Sequence, residues 1–200
     1  VGALTLSKGS IEVAGQTLDP NLYISRSLIG YIPDDEDWFI KELCADEYFN
    51  LLLRTYEEVG ISREKMEYRC RQLAQALHFN SFRQQLHTLS HGNKRKVQII
   101  AGLIHQPKLI VIDELRNGLD PLVVIAAEQV IRTEADRGAC IVAATHDLWW
   151  AERMSHQTLI LIDGHVATLD STTALLEQYG SLERLFVQLA EKKTGKYVVV

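Results

Sequence analysis

A short aliphatic run followed by two acidic residues is the feature that most constrains the fold of this chain. Residues 109–112 are Leu, Ile, Val and Ile, and Asp113 and Glu114 follow them directly. A run of this kind is typical of a strand that is buried on both faces of a parallel sheet. The chain then alternates between helical periods and apolar runs, which predicts a helix at 121–136, a buried strand at 140–144, a helix at 148–154 and a third strand at 158–162. This succession indicates an α/β fold with right-handed crossovers.

A helix-rich segment lies before this alternation. Apolar residues recur at helical spacing from Trp38 to Phe79, with a break at Gly60 and Ser62, so we expect two or three helices there. We also expect a further helix between Ser90 and Pro107. The domain prediction is an α/β core of residues 1–33 and 106–170, a helical subdomain of 34–105 and a C-terminal helical tail of 171–200.

Two local patterns complete the secondary-structure prediction. Residues 9–15 alternate between apolar and polar side chains and indicate a short strand that turns at Gly15, and residues 28–32 indicate a second strand. Asp163 and Gly164 stand between two apolar runs, which is a strong signal for a β-hairpin.

Composition narrows the function classes. A net charge of -5 argues against a general nucleic-acid binder, and we expect the short basic run at 94–96 to be a solvated helix face. Cys44, Cys70 and Cys140 lie far apart without metal-ligand spacing, so we expect reduced thiols. The longest apolar runs are well short of the roughly 20 residues that a membrane span needs.

The carboxylates of Asp113 and Glu114 are the first candidates for chemistry. The carboxyl end of a parallel strand is where open α/β sheets bind their ligands. One carboxylate there can hold Mg²⁺ through water, and its neighbour can polarise the water that attacks a phosphoryl group. An ordinary acidic strand end that faces solvent would give the same pattern.

Two further positions suit a phosphate ligand. Ser90 can cap the helix that follows it, and the free amides of a helix N-terminus form an anion site. His146 follows the strand at 141–144, where a neutral imidazole could hydrogen-bond a phosphate or the attacking water. Taken separately, an ordinary serine cap and an incidental histidine explain these residues equally well.

The order and spacing of these motifs resemble the ATPase domain of ABC transporters. The segment LSHGN at 89–93 is similar to the family's LSGGQ signature, Asp113 and Glu114 to its Walker B pair, and residues 117–121 to its D-loop. Residues 144–147 resemble the segment with the switch histidine, and residues 30–34 the start of the Q-loop. The resemblance covers essentially the whole chain.

The resemblance implies a P-loop NTPase-like, RecA-like α/β core with a mostly parallel sheet and an inserted α-helical subdomain. It implies an ATP-binding and ATP-hydrolysing subunit that energises an exporter-like ABC transporter at the cytoplasmic face of the cell membrane. Its partners would be a transmembrane permease and a second ATPase subunit, in a homodimer or a heterodimer, with no nucleic acid.

The same resemblance assigns roles to single residues, with ATP and Mg²⁺ as ligands. Asp113 would bind Mg²⁺ through water, Glu114 would activate the attacking water, and His146 would contact the γ-phosphate. The nucleotide-binding residues would be Ser90, Gly92, Asn93, Asp120 and Asp34. The signature residues would contact ATP held by the other subunit, and Asp120 would respond to that subunit across the interface.

Four departures from the family pattern stand out. No GxxxxGK[ST] sequence occurs, so we expect that the chain begins just beyond the Walker A loop and is inactive alone. His91 replaces a glycine, Leu115 replaces a proline, and Asp34 stands where many relatives have glutamine. Two alternatives therefore stay open: a catalytically inert interaction protein with the ABC fold, and a non-transport ABC ATPase that acts on DNA or ribosomes.

Overall fold

The computed structural model describes residues 8–18, 27–35 and 40–194. The chain forms two compact units, Val1–Ala144 and Thr145–Val200. The predicted helical spacing around Trp38, the first seven residues of the predicted core and the last six of the predicted tail lie outside the described residues. The predicted three-part domain division stays a prediction.

The first unit contains a small hairpin and a parallel sheet. Strands β1 (Glu12–Val13) and β2 (Gln16–Thr17) pair antiparallel, and the chain turns at Ala14 and Gly15, both with positive φ, as predicted. Strands β3 (Ile29–Ile32), β4 (Leu109–Asp113) and β5 (Cys140–Ala144) pair parallel in the order β3-β4-β5. The predicted α/β class with a parallel sheet is confirmed.

Three of the four α-helices described in the first unit begin after a serine or aspartate cap, and the first begins after Cys44. These helices are α1 (Ala45–Glu57), α2 (Arg63–Ala76), α3 (His91–Leu103) and α4 (Pro121–Asp136), with a short 3₁₀ turn at Leu86–Thr88. The predicted break lies between α1 and α2: Gly60 has φ +87, and the Ser62 hydroxyl accepts a hydrogen bond from the Lys65 amide. Such caps satisfy amides that have no partner inside the helix.

Helix α3 packs very closely on β3. A Cβ atom on Gly30 would overlap the carbonyl oxygen of Gly102, and a Cβ on Gly102 would lie 2.9 Å from the Tyr31 carbonyl oxygen. Because neither residue has a side chain, the helix backbone touches the strand backbone. The fully buried side chains of α3 and β4 form the adjacent core: Val97, Ile99, Ile100, Leu103, Ile110 and Ile112.

Two burial predictions are wrong. β4 is fully buried only on the face of Ile110 and Ile112, and β5 is largely exposed, with Val142 at 53%. The physical reason is that the side chains of a strand point above and below the sheet, so full burial needs a packed layer on each face. Among the residues that the structure describes, the face of Ile110 and Ile112 is covered, whereas the face of Val111 and Val142 is not. An apolar sequence favours a strand but does not supply the neighbour that buries it.

The second unit is a hairpin with three helices in its described part. β6 (Gln157–Ile162) and β7 (His165–Ser171) pair antiparallel through the predicted turn, where Asp163 and Gly164 both have positive φ. The prediction that β6 continues the parallel alternation is therefore wrong, because the tight turn pairs it with the strand that follows.

The helices of the second unit are α5 (Leu148–Met154), α6 (Thr172–Tyr179) and α7 (Leu182–Thr194). The predicted helical tail is divided at Gly180, which has φ +81. The core of this unit is a cluster of Ile160, Leu175, Leu182 and Leu185. No helix within 8–18, 27–35 and 40–194 has the length and apolar character of a membrane span.

Candidate functional site

The predicted carboxylates lie where β4 ends. Asp113 is the last residue of the strand and Glu114 follows it, and both are partly buried. Glu114 has φ +49, a left-handed conformation that costs a non-glycine residue about 1–3 kcal/mol. Its amide donates to the Ala144 carbonyl oxygen at 3.0 Å, which ties the strained residue to the end of β5. A conformation of this kind persists only where neighbouring contacts hold it.

The signature-like segment begins α3 as predicted. The Ser90 hydroxyl accepts a hydrogen bond from the Asn93 amide at 3.3 Å and so caps the helix. A Cβ on Gly92 would lie 3.0 Å from the Gly118 carbonyl oxygen, so the first turn of α3 lies against the D-loop-like segment. The structure therefore brings the signature-like and D-loop-like residues of one chain together.

His91, which departs from the family's glycine, is accommodated by a second glycine. A Cβ on Gly118 would overlap the imidazole ring of His91, so the ring lies directly over the Gly118 backbone. Gly118 also has φ +73, which favours glycine at that position. The imidazole fits only because residue 118 carries no side chain.

Asp34 and the D-loop-like segment are also in contact. The Asn117 side-chain amide donates to Oδ1 of Asp34 at 2.9 Å, across 83 positions of sequence. This contact was not predicted from the sequence, because two surface loops give no sequence signal of their pairing. It joins the segment after β3 to the segment after β4.

Arg95 is buried, which the sequence analysis did not predict. The basic run at 94–96 was expected to be a solvated helix face, but Arg95 is only 3% exposed. Its Nη2 donates to the carbonyl oxygens of Asp113 at 2.8 Å and Glu114 at 2.6 Å. Its Nη1 donates to the carbonyl oxygen of Pro33 and to Oε1 of Gln98. One guanidinium therefore joins α3 to the ends of both β3 and β4.

The electrostatics of this region are governed by burial and by the carboxylates. Burial lowers the pKa of Arg95, while Asp34, Asp113 and Glu114 act in the opposite direction and favour its charged form. Burial raises the pKa of the Tyr31 hydroxyl on β3, and the negative charge of Asp113 raises it further. The charged guanidinium is thus stabilised by carboxylates that a metal ion could also contact.

Two predicted site residues have local roles in the structure. Oδ1 of Asp120 accepts hydrogen bonds from the amides of Leu122 and Val123, both at 3.1 Å, and caps α4. His146 belongs to the second unit and precedes Asp147, whose Oδ1 accepts from the Trp150 amide at 2.9 Å and caps α5. The functional roles predicted for Asp120 and His146 stay predictions.

The residues present fit part of a nucleotide and Mg²⁺ site. Within the described ranges there is no group of three or more His, Cys, Asp or Glu side chains that could enclose a metal ion. Mg²⁺ does not need one, because it usually takes one or two carboxylates together with waters and substrate phosphates. The 13-residue helix α3 offers N-terminal amides to an anion. Asp113 and α3 therefore suit Mg²⁺ and phosphate, whereas the printed sequence has no GxxxxGK[ST] cradle.

Comparisons with known proteins agree with this arrangement. A family model described as ABC transporter matches residues 1–117. The chain is 32% identical to the ABC-type transporter ATP-binding protein EcsA of Bacillus subtilis, over 98% of this chain and 79% of that protein. It is 29% identical to the lipopolysaccharide export system ATP-binding protein LptB of Acidithiobacillus ferridurans, over 76% of this chain and 62% of that protein.

A solved structure of an ATP binding subunit of an ABC transporter has a TM-score of 0.83 and 29% identity, and the match covers 92% of this chain and 77% of the other. Since the family model matches more than half of the chain and the first relative is matched over most of its length, this chain belongs to the family of ABC transporter ATP-binding proteins.

Proposed function

We propose that this protein is the ATP-binding and ATP-hydrolysing subunit that energises an exporter-like ABC transporter. It dimerises around ATP, as a homodimer or with a related subunit, and drives a transmembrane permease from the cytoplasmic face of the membrane. Membership of the ABC transporter family supports the ATPase part, and similarity to a protein of a lipopolysaccharide export system supports the direction.

One observation carries the proposal. The first turn of α3 lies against Gly118, and Arg95 of the same helix binds the carbonyl groups of Asp113 and Glu114. Residues that are far apart in sequence thus lie together at the carboxyl ends of β3 and β4, where open α/β sheets bind their ligands. An isolated serine cap or a solvated acidic strand end would not require this convergence.

Each carboxylate has a distinct role in the proposed reaction. Asp113 would hold Mg²⁺ through water, and the ion would offset the negative charge of the phosphates. Glu114 orients the attacking water and accepts its proton as the water attacks the γ-phosphorus. The bond between the γ-phosphorus and the bridging oxygen breaks, leaving ADP and inorganic phosphate. His146 donates a hydrogen bond to the γ-phosphate.

The remaining predicted site residues act across the dimer. The N-terminal amides of α3 and the side chains of Ser90 and Asn93 face ATP held by the second subunit, and Gly92 allows the backbone to come close to the phosphate. Asp120 responds to the second subunit through the loop that it caps. Asp34, held by Asn117, links the nucleotide to the segment after β3.

The proposal is tested by ATP hydrolysis with the protein as its gene encodes it. We expect Mg²⁺-dependent turnover, and we expect Glu114→Gln to lower kcat by about 100-fold or more while ATP still binds, because the amide cannot accept the proton. The matched control is Glu177→Gln, which changes an exposed glutamate of α6 and should leave turnover unchanged. Equal turnover by Glu114→Gln and the parent protein would contradict the role of Glu114.

Residues 1–200 should behave differently from a chain that carries a phosphate cradle. We expect no measurable ATPase activity from the purified 200-residue chain, because the sequence has no GxxxxGK[ST] whose amides and lysine would hold the phosphates. Mg²⁺-dependent turnover by this chain that Glu114→Gln abolishes would show that the reasoning is wrong.

A second candidate is an interaction protein that keeps the fold and does not hydrolyse ATP. The His91 ring over Gly118 favours it. The coding sequence upstream of Val1 separates the two candidates: a GxxxxGK[ST] in frame and about ten residues before Val1 supports the ATPase, and a start codon at that place supports the interaction protein. Co-purification with a polytopic membrane protein tests the transporter assignment.

A further inference from the structure

We propose that Arg95 is a positioning residue for ATP hydrolysis, which holds Glu114 in its reactive orientation and couples that orientation to helix α3. This inference rests on the proposed ATPase function and adds a residue that the family motifs quoted above do not include. Arg95 does not itself reach the reacting atoms in this proposal. It acts through the backbone that carries Glu114.

The Arg95 guanidinium faces several backbone acceptors. Arg95 donates to the carbonyl oxygens of Asp113 and Glu114 through Nη2, and Nε lies 3.5 Å from the Leu115 carbonyl oxygen. Three successive carbonyl groups therefore face the same side chain. An arginine has five N–H donors in a rigid plane, whereas a lysine has one ammonium group and cannot bind such a set simultaneously.

Glu114 has a backbone conformation that its neighbours must hold. Its φ of +49 is unusual for a residue with a side chain, so the direction of its Cα–Cβ bond depends on what holds the flanking peptide groups. Its amide donates to the Ala144 carbonyl oxygen, and its own carbonyl oxygen accepts from Arg95 at 2.6 Å. These two bonds hold the peptide on each side of Glu114. Removing the guanidinium leaves the Glu114 carbonyl oxygen with only the longer hydrogen bond from the Asn117 amide, at 3.3 Å, among the described hydrogen bonds.

Helix α3 also binds the segment that follows β3. Nη1 of Arg95 also binds the Pro33 carbonyl oxygen at the end of β3, and Gln98, one turn further along α3, donates to the Asp35 carbonyl oxygen at 2.6 Å. Arg95 itself lies one turn after the signature-like residues that begin α3. A rotation of α3 about its axis would therefore pull on the Glu114 backbone. This geometry couples the position of α3 to the orientation of the Glu114 carboxylate.

The test uses the protein as its gene encodes it, with the variants Arg95→Lys and Arg95→Met. Lys96→Met is the matched control, because it removes a neighbouring cation of α3 whose ammonium contacts only the His78 carbonyl oxygen among the described hydrogen bonds. Turnover is divided by the number of sites that bind a non-hydrolysable ATP analogue, so that unfolded protein does not count as slow enzyme. We expect Arg95→Lys to lower kcat about tenfold or more and to change KM less than about threefold.

A second readout does not depend on activity. Amide hydrogen exchange, followed by mass spectrometry, should become about tenfold faster or more in residues 113–117 of Arg95→Lys, with no change in the β6–β7 hairpin. Lys96→Met should match the parent in both measurements. If Arg95→Met does not fold, Arg95→Lys, which keeps the charge and most of the volume, still decides the question.

The possible failures are distinguishable. Unchanged exchange in residues 113–117, or a normalised kcat within about twofold of the parent, would overturn the positioning role. If the parent protein does not hydrolyse ATP, the proposed function fails. In that case the exchange measurement still shows whether Arg95 holds the Glu114 backbone.

Discussion

Replacing His105 by phenylalanine should remove much of the acid sensitivity of this protein. His105 follows α3, is 3% exposed, and lies with its Nε2 3.1 Å from the Ile29 carbonyl oxygen. A carbonyl oxygen can only accept a hydrogen bond, so in the neutral ring Nε2 carries the hydrogen and Nδ1 is unprotonated. The ring also stacks on Tyr56, with centroids 4.0 Å apart. The pKa of His105 is lowered to about 4, mainly by burial and also by the nearby Arg69 charge, against the opposing effect of the hydrogen bond to Ile29.

The direction and size of the effect follow from these values. In the unfolded chain the histidine has a pKa near 6.5, so between pH 6.5 and 4 the unfolded chain binds a proton that the folded protein excludes. The stability that depends on neutral His105 is fully present above pH 6.5 and is lost as the pH falls through 6.5 towards 4. A difference of about 2.5 in pKa, at about 1.36 kcal/mol for each unit, gives a total loss of about 3 kcal/mol. At pH 5 the loss is about 2 kcal/mol.

The assay is urea unfolding of the parent protein and His105→Phe at pH 7.5 and pH 5. Phenylalanine keeps a ring beside Tyr56 but cannot titrate, and the carboxylates of both proteins titrate alike, so the difference between the proteins isolates His105. The unfolding free energy of the parent should fall by about 2 kcal/mol more than that of the variant. His165→Phe, at an exposed histidine, is the control. An equal fall for the parent and His105→Phe would refute the reasoning.

Two further predictions concern packing in the first unit. Glu134→Gln should lower the unfolding free energy by about 3–5 kcal/mol, because it leaves the buried Arg69 charge without its carboxylate partner at 2.5 Å. Arg69→Met combined with Glu134→Leu should recover most of this loss in urea unfolding. A loss in the double variant equal to the sum of the two single-variant losses would contradict the pairing. Gly30→Ala should lower the unfolding free energy more than Gly138→Ala, because a Cβ at residue 30 would overlap a carbonyl oxygen of α3. Gly138 has open space around it, so only its positive φ disfavours alanine there. Equal losses of unfolding free energy, each about 1 kcal/mol, would contradict the close packing of α3 on β3.

Elements with strong local signals were predictable from the sequence. Helix α4 begins at Pro121 and ends at Asp136, as its apolar period and its aspartate cap indicate. The β6–β7 turn at Asp163 and Gly164 was predictable because these residue types tolerate the positive φ that a two-residue turn needs. In both cases the information lies within a few neighbouring residues.

The features that the sequence analysis missed depend on contacts between distant segments. Arg95 stands between two lysines, and a charged run usually faces solvent. Ile99 and Gly102 share its face of α3 and are buried, so that face packs inward and its polar residues must find partners inside the protein. The exposure of Val142 on β5 was equally unpredictable, because an apolar run does not show whether another strand or helix packs on it. The contact of Asn117 with Asp34 joins two loops whose sequences show no complementarity.

The His91 ring over Gly118 has a consequence for how this sequence can diverge. The two positions form a size-complementary pair, so a side chain at residue 118 is excluded as long as residue 91 is a histidine. Loss of the imidazole would have to come first in any lineage that acquires a larger residue at 118, and even then φ +73 restricts the choice mainly to glycine or asparagine. Substitutions at these two positions should therefore be correlated among homologues, with an order imposed by sterics rather than by function.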